Sequence, residues 1–464
     1  MSRVVVVGAG VSGLAAAFRI RQACPDSELV VLDKNPRPGG NVWTEHRDGF
    51  TVEFGPNGLL DAKPQGVQLC RDLGLGERLI PASEAARKNR FLYLNGRLHQ
   101  LPASPLGILT TPVLSLRGRL TLLAEPFRRR PKNVPEDESV AAFARRRFGR
   151  EAAETFVDAL VTGIHAGDPE QLSVAAAFPR LPRFEAEAGS VVRGFLRTAK
   201  QRRREAEARG EPPPGPPRMW SFREGLRILV ETLVDRLGTA VQLGVDVQQI
   251  ERTSTGWTVH SAAGEAWSAD AVVLTSPAYH QAELLAGLDV HLAQEIGTIT
   301  YNRIAVVALG YRREQVGGPQ DGFGYLAPQN TRRDVLGVQW CSSVFPDRAP
   351  SGYVLWRALC GGVHRADVLD WDDETLVRRV HHEMTVTMGV TGEPVFRQVV
   401  RWPRAIPQYV VGHLARVNRI EAAARAFPGL FLGGNAYHGV ALNDCAEQAE
   451  RLAAGVVRLF RGKQ

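Results

Sequence analysis

A chain of 464 residues is too long for one compact core, so two or three domains are expected. With 44% hydrophobic residues and 46 glycines, the composition excludes wholesale disorder and fits a soluble α/β protein. The net charge is +8, and residues 91–218, with 21 Arg/Lys against 14 Asp/Glu, hold nearly all of the excess.

The N-terminus MSRVVVVGAG runs straight into a strand and a glycine turn. It has no charged region, apolar stretch and cleavage site of a secretory signal, which places the chain in the cytosol. No apolar run approaches the roughly 18 residues of a spanning helix. Cys24, Cys70, Cys341, Cys360 and Cys445 are odd in number, widely spread and without a CxxC. This excludes a disulfide framework or zinc site, leaves no metal expected, and predicts reduced, mostly buried thiols.

Residues 4–7, VVVV, read as a buried strand, and LVVLD at 29–33 as its parallel neighbour across a helix. Between them GAGVSG supplies Gly8 for the tight turn, Gly10 for close approach of a pyrophosphate and Gly13 for helix–sheet packing. Ala9, Val11 and Ser12 complete the loop, whose main chain faces the phosphates at the positive end of the helix dipole. Asp33 follows Gly13 by 20 residues, where a carboxylate accepts ribose hydroxyls, with Lys34 beside it. This strand-turn-helix with its acid predicts dinucleotide binding. Two loops then favour FAD over NAD. One holds Arg37, Gly39, Gly40 and Asn41, and the other, EFGPNG, holds Gly55, Pro56, Asn57 and Gly58.

Helical spacing dominates 104–200. Its basic clusters are Arg128, Arg129, Arg130 and Lys132, then Arg145, Arg146, Arg147 and Arg150, then Lys200 and Arg202 to Arg204. Such a segment meets anionic lipid, an acidic ligand or only water. No zinc-finger, RNA-recognition or helix-turn-helix signature supports nucleic acid. GEPPPGPPRM at 210–219 marks a boundary. Beyond it come an amphipathic helix, alternating strands, the buried strand ADAVVLTSPA at 269–278 and a strand-rich region over 300–410. The chain closes on GGNAYHGVALNDCAEQ at 433–448, a second glycine turn opening a last helix that Asn443 and Asp444 are expected to cap.

Several of these motifs together resemble the protoporphyrinogen oxidase family of FAD-dependent, monoamine oxidase-like enzymes, closest to its oxygen-dependent, myxobacterial type. The resemblance is carried by GAGVSGL, RPGG, FGPN, NRFLYLNGRLHQLPASP, TGIHAGDPEQLSVAAAFP, GFGYL, FPDRAP, RWPRAIPQY and GVALNDC, nearly end to end. It implies an α/β (α+β overall) chain with a Rossmann-like FAD domain, a mixed-sheet substrate domain and a helical membrane-associated domain. The corresponding spans are 1–60, 219–285 and 411–464; 61–90 and 286–410; and 91–218. The implied reaction takes six electrons from protoporphyrinogen IX, with O2 as acceptor and H2O2 as by-product, in haem biosynthesis. The implied setting is the cytoplasmic membrane surface, with a ferrochelatase as pathway partner and a homodimer as an allowed assembly.

Carried over residue by residue, the resemblance places Arg90 on a substrate propionate, with Arg97 as competitor, and the Gly163 carbonyl near the macrocycle centre. Leu326, Leu336 and Phe345 are candidate apolar walls. Val247 pairs with adenine through its main chain, Trp402 flanks the isoalloxazine, and Asn435, Val440, Ala441 and Leu442 touch the flavin. Each has a structural alternative: a strand-edge arginine, a helix-ending glycine, core side chains. His165 and His438 invite proton-relay readings that the family does not require. Asp33 departs from the family's frequent Glu. No catalytic side chain is required, because the flavin carries the redox chemistry. Coproporphyrinogen III oxidase is the nearest alternative. Another flavin amine oxidase-like enzyme or a non-catalytic porphyrin carrier is more distant.

Overall fold

The computed structural model describes every residue except Met1, Ala103, Lys132, Glu211, Pro213, Pro214, Lys463 and Gln464, so Lys132 of the basic run and part of the 210–219 linker lie outside it. The elements that position the site are, in chain order, β1 (Arg3–Val7), α1 (Val11–Ala23), β2 (Glu28–Asp33), β3 (Arg90–Leu94), β4 (Arg97–Gln100), α2 (Leu116–Leu123), α3 (Val140–Phe148), α4 (Asp158–His165), α5 (Val191–Ala208) and α6 (Arg227–Leu237). They continue with β5 (Val241–Leu243), β6 (Val247–Arg252), β7 (Ala271–Leu274), β8 (Ile304–Arg312), β9 (Gly324–Leu326), β10 (Gly337–Gln339), β11 (Tyr353–Gly361), α7 (Asp373–Met388), β12 (Phe396–Trp402), β13 (Leu430–Leu432) and α8 (Leu442–Arg461).

The first sheet is parallel throughout, in the order β5-β2-β1-β7-β13. Its centre is VVVV. Val4 and Val6 face α1, α6 and α8, whereas Val5 and Val7 face the antiparallel layer that starts at β6 and the helices over 278–297. A strand covered on both faces needs no polar alternation, which is why four valines run together. Each valine removed from water contributes roughly 1.5 kcal/mol. Small residues let α8 approach α1 closely, with Ala446, Ala449 and Ala453 in one core with Leu14 and Ala17.

The second sheet has the order β12-β8-β11-β10-β9-β3-β4, antiparallel except for the β9–β3 pair. Alternation along β8 divides its faces. Val307 and Leu309 pack with α7, and Val306 and Ala308 pack with Phe50, Phe54 and Ala166 on the side of the first sheet. Strands β3 and β4 place residues 91–100 in this sheet, so the expected 91–218 helical unit begins too early. Asn95 and Gly96 at φ 52° and 78° form the turn that ties the two strands.

The helical layer holds a second surprise. Of the run Arg145, Arg146 and Arg147, only Arg145 is a surface cation. Arg147 is 1% exposed and pairs with Glu125, itself 0% exposed. Arg146 pairs with Glu138 and Glu185. Glu125 also accepts the Ser190 hydroxyl and the first amides of α5, at Val191 and Val192. These arginines hold helices together, and no described helix is long and apolar enough to cross a membrane. Four cysteines are buried, Cys24 is half-buried, and all five are free.

Candidate active site

The loop between β1 and α1 is closed by contacts that leave no room for side chains. A Cβ on Gly13 would lie 1.9 Å from the Gly8 carbonyl oxygen, and Gly8 itself has φ +112°. A Cβ on Gly10, by contrast, would meet nothing nearer than the Gly40 Cα at 4.0 Å. Gly10 is the N-cap of α1 and offers no side-chain cap, so the first-turn amides stay open for an anion. Gly39 donates to the Ala9 carbonyl at 2.7 Å, which clasps the 37–41 loop against the first. Arg37 shapes that loop by donating to the carbonyls of Pro38, Gly40 and Val42, with its guanidinium over the Trp43 ring. Exposed Lys34 follows Asp33 at the rim.

Asp33 Oδ2 accepts the Ala9 N–H at 2.7 Å, and Oδ1 accepts two donors from Asn35. Oδ2 keeps a lone pair for one further donor. Val245 donates to the Asp33 carbonyl at 2.9 Å, which brings buried Val247 to the same end of the sheet.

The 55–58 loop is held from the second sheet. Buried Arg357 donates to the carbonyls of Glu53 and Gly55 and to Gln339 Oε1. Trp402 Nε1 donates to the Phe54 carbonyl at 2.9 Å, and its ring meets Trp43 edge-on. A Cβ on Gly55 would strike the Asn41 carbonyl oxygen and one on Gly58 the Trp220 carbonyl oxygen, so both glycines are close-approach positions. After Pro56 comes Asn57, 6% exposed, with neither amide atom satisfied. Ser276 Oγ, at the end of β7, is likewise buried without a partner. Orphaned polar atoms and an uncapped helix beside a cradle of glycines fit a polar, anionic cofactor, since buried polar groups ordinarily find partners.

The last helix supplies a second N-terminus whose N-cap residue offers no side-chain acceptor. Ser12 in the first turn of α1 is close enough to Cys445 in the first turn of α8 to act on its thiol, so the two helix starts lie side by side. The N-cap is Ala441, preceded by Val440, and Leu442 is the first helical residue. The expected cap is only half right. Asp444 accepts the Ala441 N–H at 3.1 Å, but Asn443 lies inside the helix, buried, with its amide donating to the Leu60 carbonyl. Asn435 is held through its carbonyl, which accepts the Tyr409 hydroxyl at 2.5 Å. His438 is a loop side chain bonded to Glu421 at 2.9 Å.

Away from these loops, α4 ends at His165 with Ala166 in the left-handed region at φ 44°. Gly163 is therefore a last-turn residue and not the helix-ending one. A Cβ there would lie 2.9 Å from Leu326 Cδ2, and among the described residues no donor reaches its carbonyl. Leu336 continues this wall into a cavity of about 380 Å3 that also touches Thr162, Ala166, Ala327 and Val335. A second cavity of about 250 Å3 lies across residues 361–363. Neither touches the starts of α1 or α8. Arg90 sits beside Gly324 at the start of β9, over the Phe323 ring, with no ion-pair partner among the described residues. Arg97 is exposed on β4. Phe345, expected as an apolar wall, does not line this cavity. It is 1% exposed in a small core with Ala86 and Val344, under the Arg348 guanidinium.

His165 is 2% exposed with neither ring nitrogen satisfied, and burial pushes it down to about 4. A neutral ring in a dry environment suits packing against Phe178 better than a relay. Sequence reasoning missed the buried ions Glu53, Arg348 and Arg357. Their partners are as far as 304 residues apart, and no local pattern marks them.

The flavin containing amine oxidoreductase family matches residues 11–457. The chain belongs to that family. It is a flavoprotein oxidoreductase, and its cofactor is FAD. It is 32% identical over 97% of its length to a chloroplastic protoporphyrinogen oxidase of Nicotiana tabacum, covering 85% of that protein. It is 30% identical to the coproporphyrinogen III oxidase of Bacillus subtilis (strain 168), covering 96% of each chain. A crystal structure from Exiguobacterium sp. 255-15 superposes with a TM-score of 0.84 at 26% identity, covering 98% of this chain and 99% of that one.

Proposed function

We propose that this flavoenzyme oxidises protoporphyrinogen IX to protoporphyrin IX in haem biosynthesis, with O2 as acceptor and H2O2 as by-product. The observation that carries the reading is the largely apolar cavity walled by Leu336, Ala327 and Val335, beside the packed pair of Gly163 and Leu326, with Arg90, which has no ion-pair partner among the described residues, at the start of the strand that Leu326 ends. A porphyrinogen is a wide apolar macrocycle with carboxylates on its rim, so it requires apolar walls and a cation at the edge.

The open amides of residues 10–13 would hold the pyrophosphate, Asp33 Oδ2 a ribose hydroxyl, and the main chain of 440–442 the isoalloxazine end. Trp402 and the 55–58 loop would line the same space. Bound FAD supplies the redox chemistry, taking electrons from a ring carbon and passing them to O2. The protein's share is to orient and to exclude water. In this reading Arg90 pairs with a propionate, the two leucines keep the reacting face dry, and the Gly163 carbonyl accepts a pyrrole N–H.

The reading keeps three units, with residues 91–100 assigned to the substrate unit. The helical unit fits a membrane surface. Leu116, Leu120, Phe127, Phe195 and Leu196 are 57–80% exposed, near Arg193 and the 128–130 arginines. Apolar side chains rimmed by cations suit an anionic interface.

The test is spectroscopic. Anaerobic protoporphyrinogen should bleach the flavin absorbance of the purified protein. Readmitted O2 should restore it, with three H2O2 formed per porphyrin because six electrons leave in pairs. Flavin that stays oxidised with every porphyrinogen offered would overturn the proposal.

A further inference from the structure

The cavity beyond Leu336 is lined by more basic side chains than one substrate edge requires. Arg332, Arg333, His364 and Arg365 all line it. Three are committed: Arg333 to Glu383 at 2.6 Å, Arg365 to Asp334 and Asp367 at 3.2 Å, and His364 to Asp168 at 3.8 Å. Exposed Arg332 has no carboxylate within 4.0 Å among the described residues. Its backbone is held at φ +50°, unusual for a residue with a side chain. The turn before it is built to hold it there. Gln329 donates its N–H to Asp158 at 2.8 Å and its amide to the Gly167 carbonyl, and the Thr331 hydroxyl bonds the Pro328 carbonyl.

Position makes this useful. Strand β9 begins at Gly324 beside Arg90, ends at Leu326 and leads directly into the turn that carries Arg332. The two uncommitted arginines therefore lie beyond opposite ends of β9, with the Leu326 and Leu336 wall between them. Protoporphyrinogen IX has two propionates on one edge. Coproporphyrinogen III has a propionate on each of its four pyrroles, so carboxylates reach both ends.

We infer that the cavity mouth is a second carboxylate subsite, with Arg332 as its anion-binding residue, that confers affinity for a tetracarboxylate porphyrinogen. This rests on the porphyrinogen oxidation proposed above. The test compares wild type with Arg332→Gln in two measurements. One is the initial rate with each porphyrinogen. The other is the dissociation constant of coproporphyrin III and of protoporphyrin IX, read by fluorescence quenching. A charge-assisted hydrogen bond at an exposed mouth predicts a roughly 10-fold rise in KM and Kd for the tetracarboxylate compounds. The dicarboxylate values should move less than about 2-fold, because Arg332 meets no propionate there. Equal shifts for both compounds, or no shift for either, would overturn the subsite. If wild type oxidises neither porphyrinogen, the proposed reaction falls while the ratio of binding constants still decides the subsite.

Discussion

Replacing Gly163 by Ala separates the stability of α4 from the shape of the slot. Inside a helix, Gly to Ala gains about 1 kcal/mol of backbone entropy. Against this, the new Cβ lies 2.9 and 3.0 Å from the two methyls of Leu326. Carbon atoms prefer about 3.5 Å or more, so the leucine must withdraw by roughly 0.6 Å. The same methyl also lies close to Gly337, where an added Cβ would come within 2.8 Å of it, so the leucine sits between two glycine main chains. The side chain must swing into the slot, at about 1 kcal/mol for leaving its rotamer. Gain and cost nearly cancel in the folded protein, so the melting temperature should shift by less than about 3 °C. The substrate then meets the displaced leucine, and kcat/KM should fall about 10-fold, equivalent to ~1.4 kcal/mol. The assay is porphyrin fluorescence against substrate concentration, with a melt and FAD content on the same preparation. An unchanged kcat/KM refutes the slot. A drop in melting temperature with parallel loss of FAD would show that the glycine serves packing only.

Gly13→Ala drives a methyl to 1.9 Å from the Gly8 carbonyl oxygen, so α1 must lift away and its amides with it. FAD occupancy after purification should fall at least about 10-fold, and stoichiometric flavin would count against the assigned phosphate loop. His165 and His413 are 2% and 0% exposed, and burial depresses both from 6.5 to about 4. The unfolded chain takes up protons that the folded chain refuses, so stability is full above pH 6.5 and is lost as pH falls toward 4. The loss is up to about 1.4 kcal/mol per pH unit per histidine. Melts at pH 7.0 and 5.0 should show a smaller difference in His165→Phe, and an unchanged difference would reject the buried neutral ring. Phe127→Ser with Phe195→Ser should weaken cosedimentation with anionic vesicles while flavin content stays constant. Undiminished binding would move the membrane surface elsewhere.

What the sequence disclosed depended on how local each signal is. The Gly8 to Asp33 unit was readable because strand, turn, helix and acid follow one another within one βαβ motif. The 90–100 hairpin was equally local. Its Asn95-Gly96 turn between FLYL and RLHQ is a sufficient signal, and it joins residues on both sides of the expected 90/91 boundary into one hairpin. Arg146 and Arg147 misled for the opposite reason. A triple arginine reads as a solvated face, and the carboxylates that bury two of them, Glu125, Glu138 and Glu185, come from three different segments. The same distance hid Arg357, whose hydrogen bonds to the Glu53 and Gly55 carbonyls tie the second sheet to the cofactor loop. Phe345 shows the limit of position within a stretch. It lies between slot and core in sequence, and the side chain went to the core.

The glycine turn at 433–439 and the helix behind it make sense only beside the first phosphate loop. The two helix starts lie side by side, with Ser12 near Cys445. They differ in charge. The first turn of α1 has no acidic residue, whereas α8 carries Asp444 in its first turn. An acid there strengthens the helix but weakens its hold on an anion. Lys63 resolves the conflict, with its ammonium 2.7 Å from both Asp444 and Glu447. Asp444 can therefore accept the Ala441 N–H as a cap while its charge is balanced from outside the helix, and the open amides of α8 remain attractive to negative charge. In the proposed site, the α1 end would face a pyrophosphate that is always anionic and would need no such balance. Negative charge would reach the α8 end only on flavin reduction, and a start balanced by Lys63 would favour the reduced state without repelling the oxidised one.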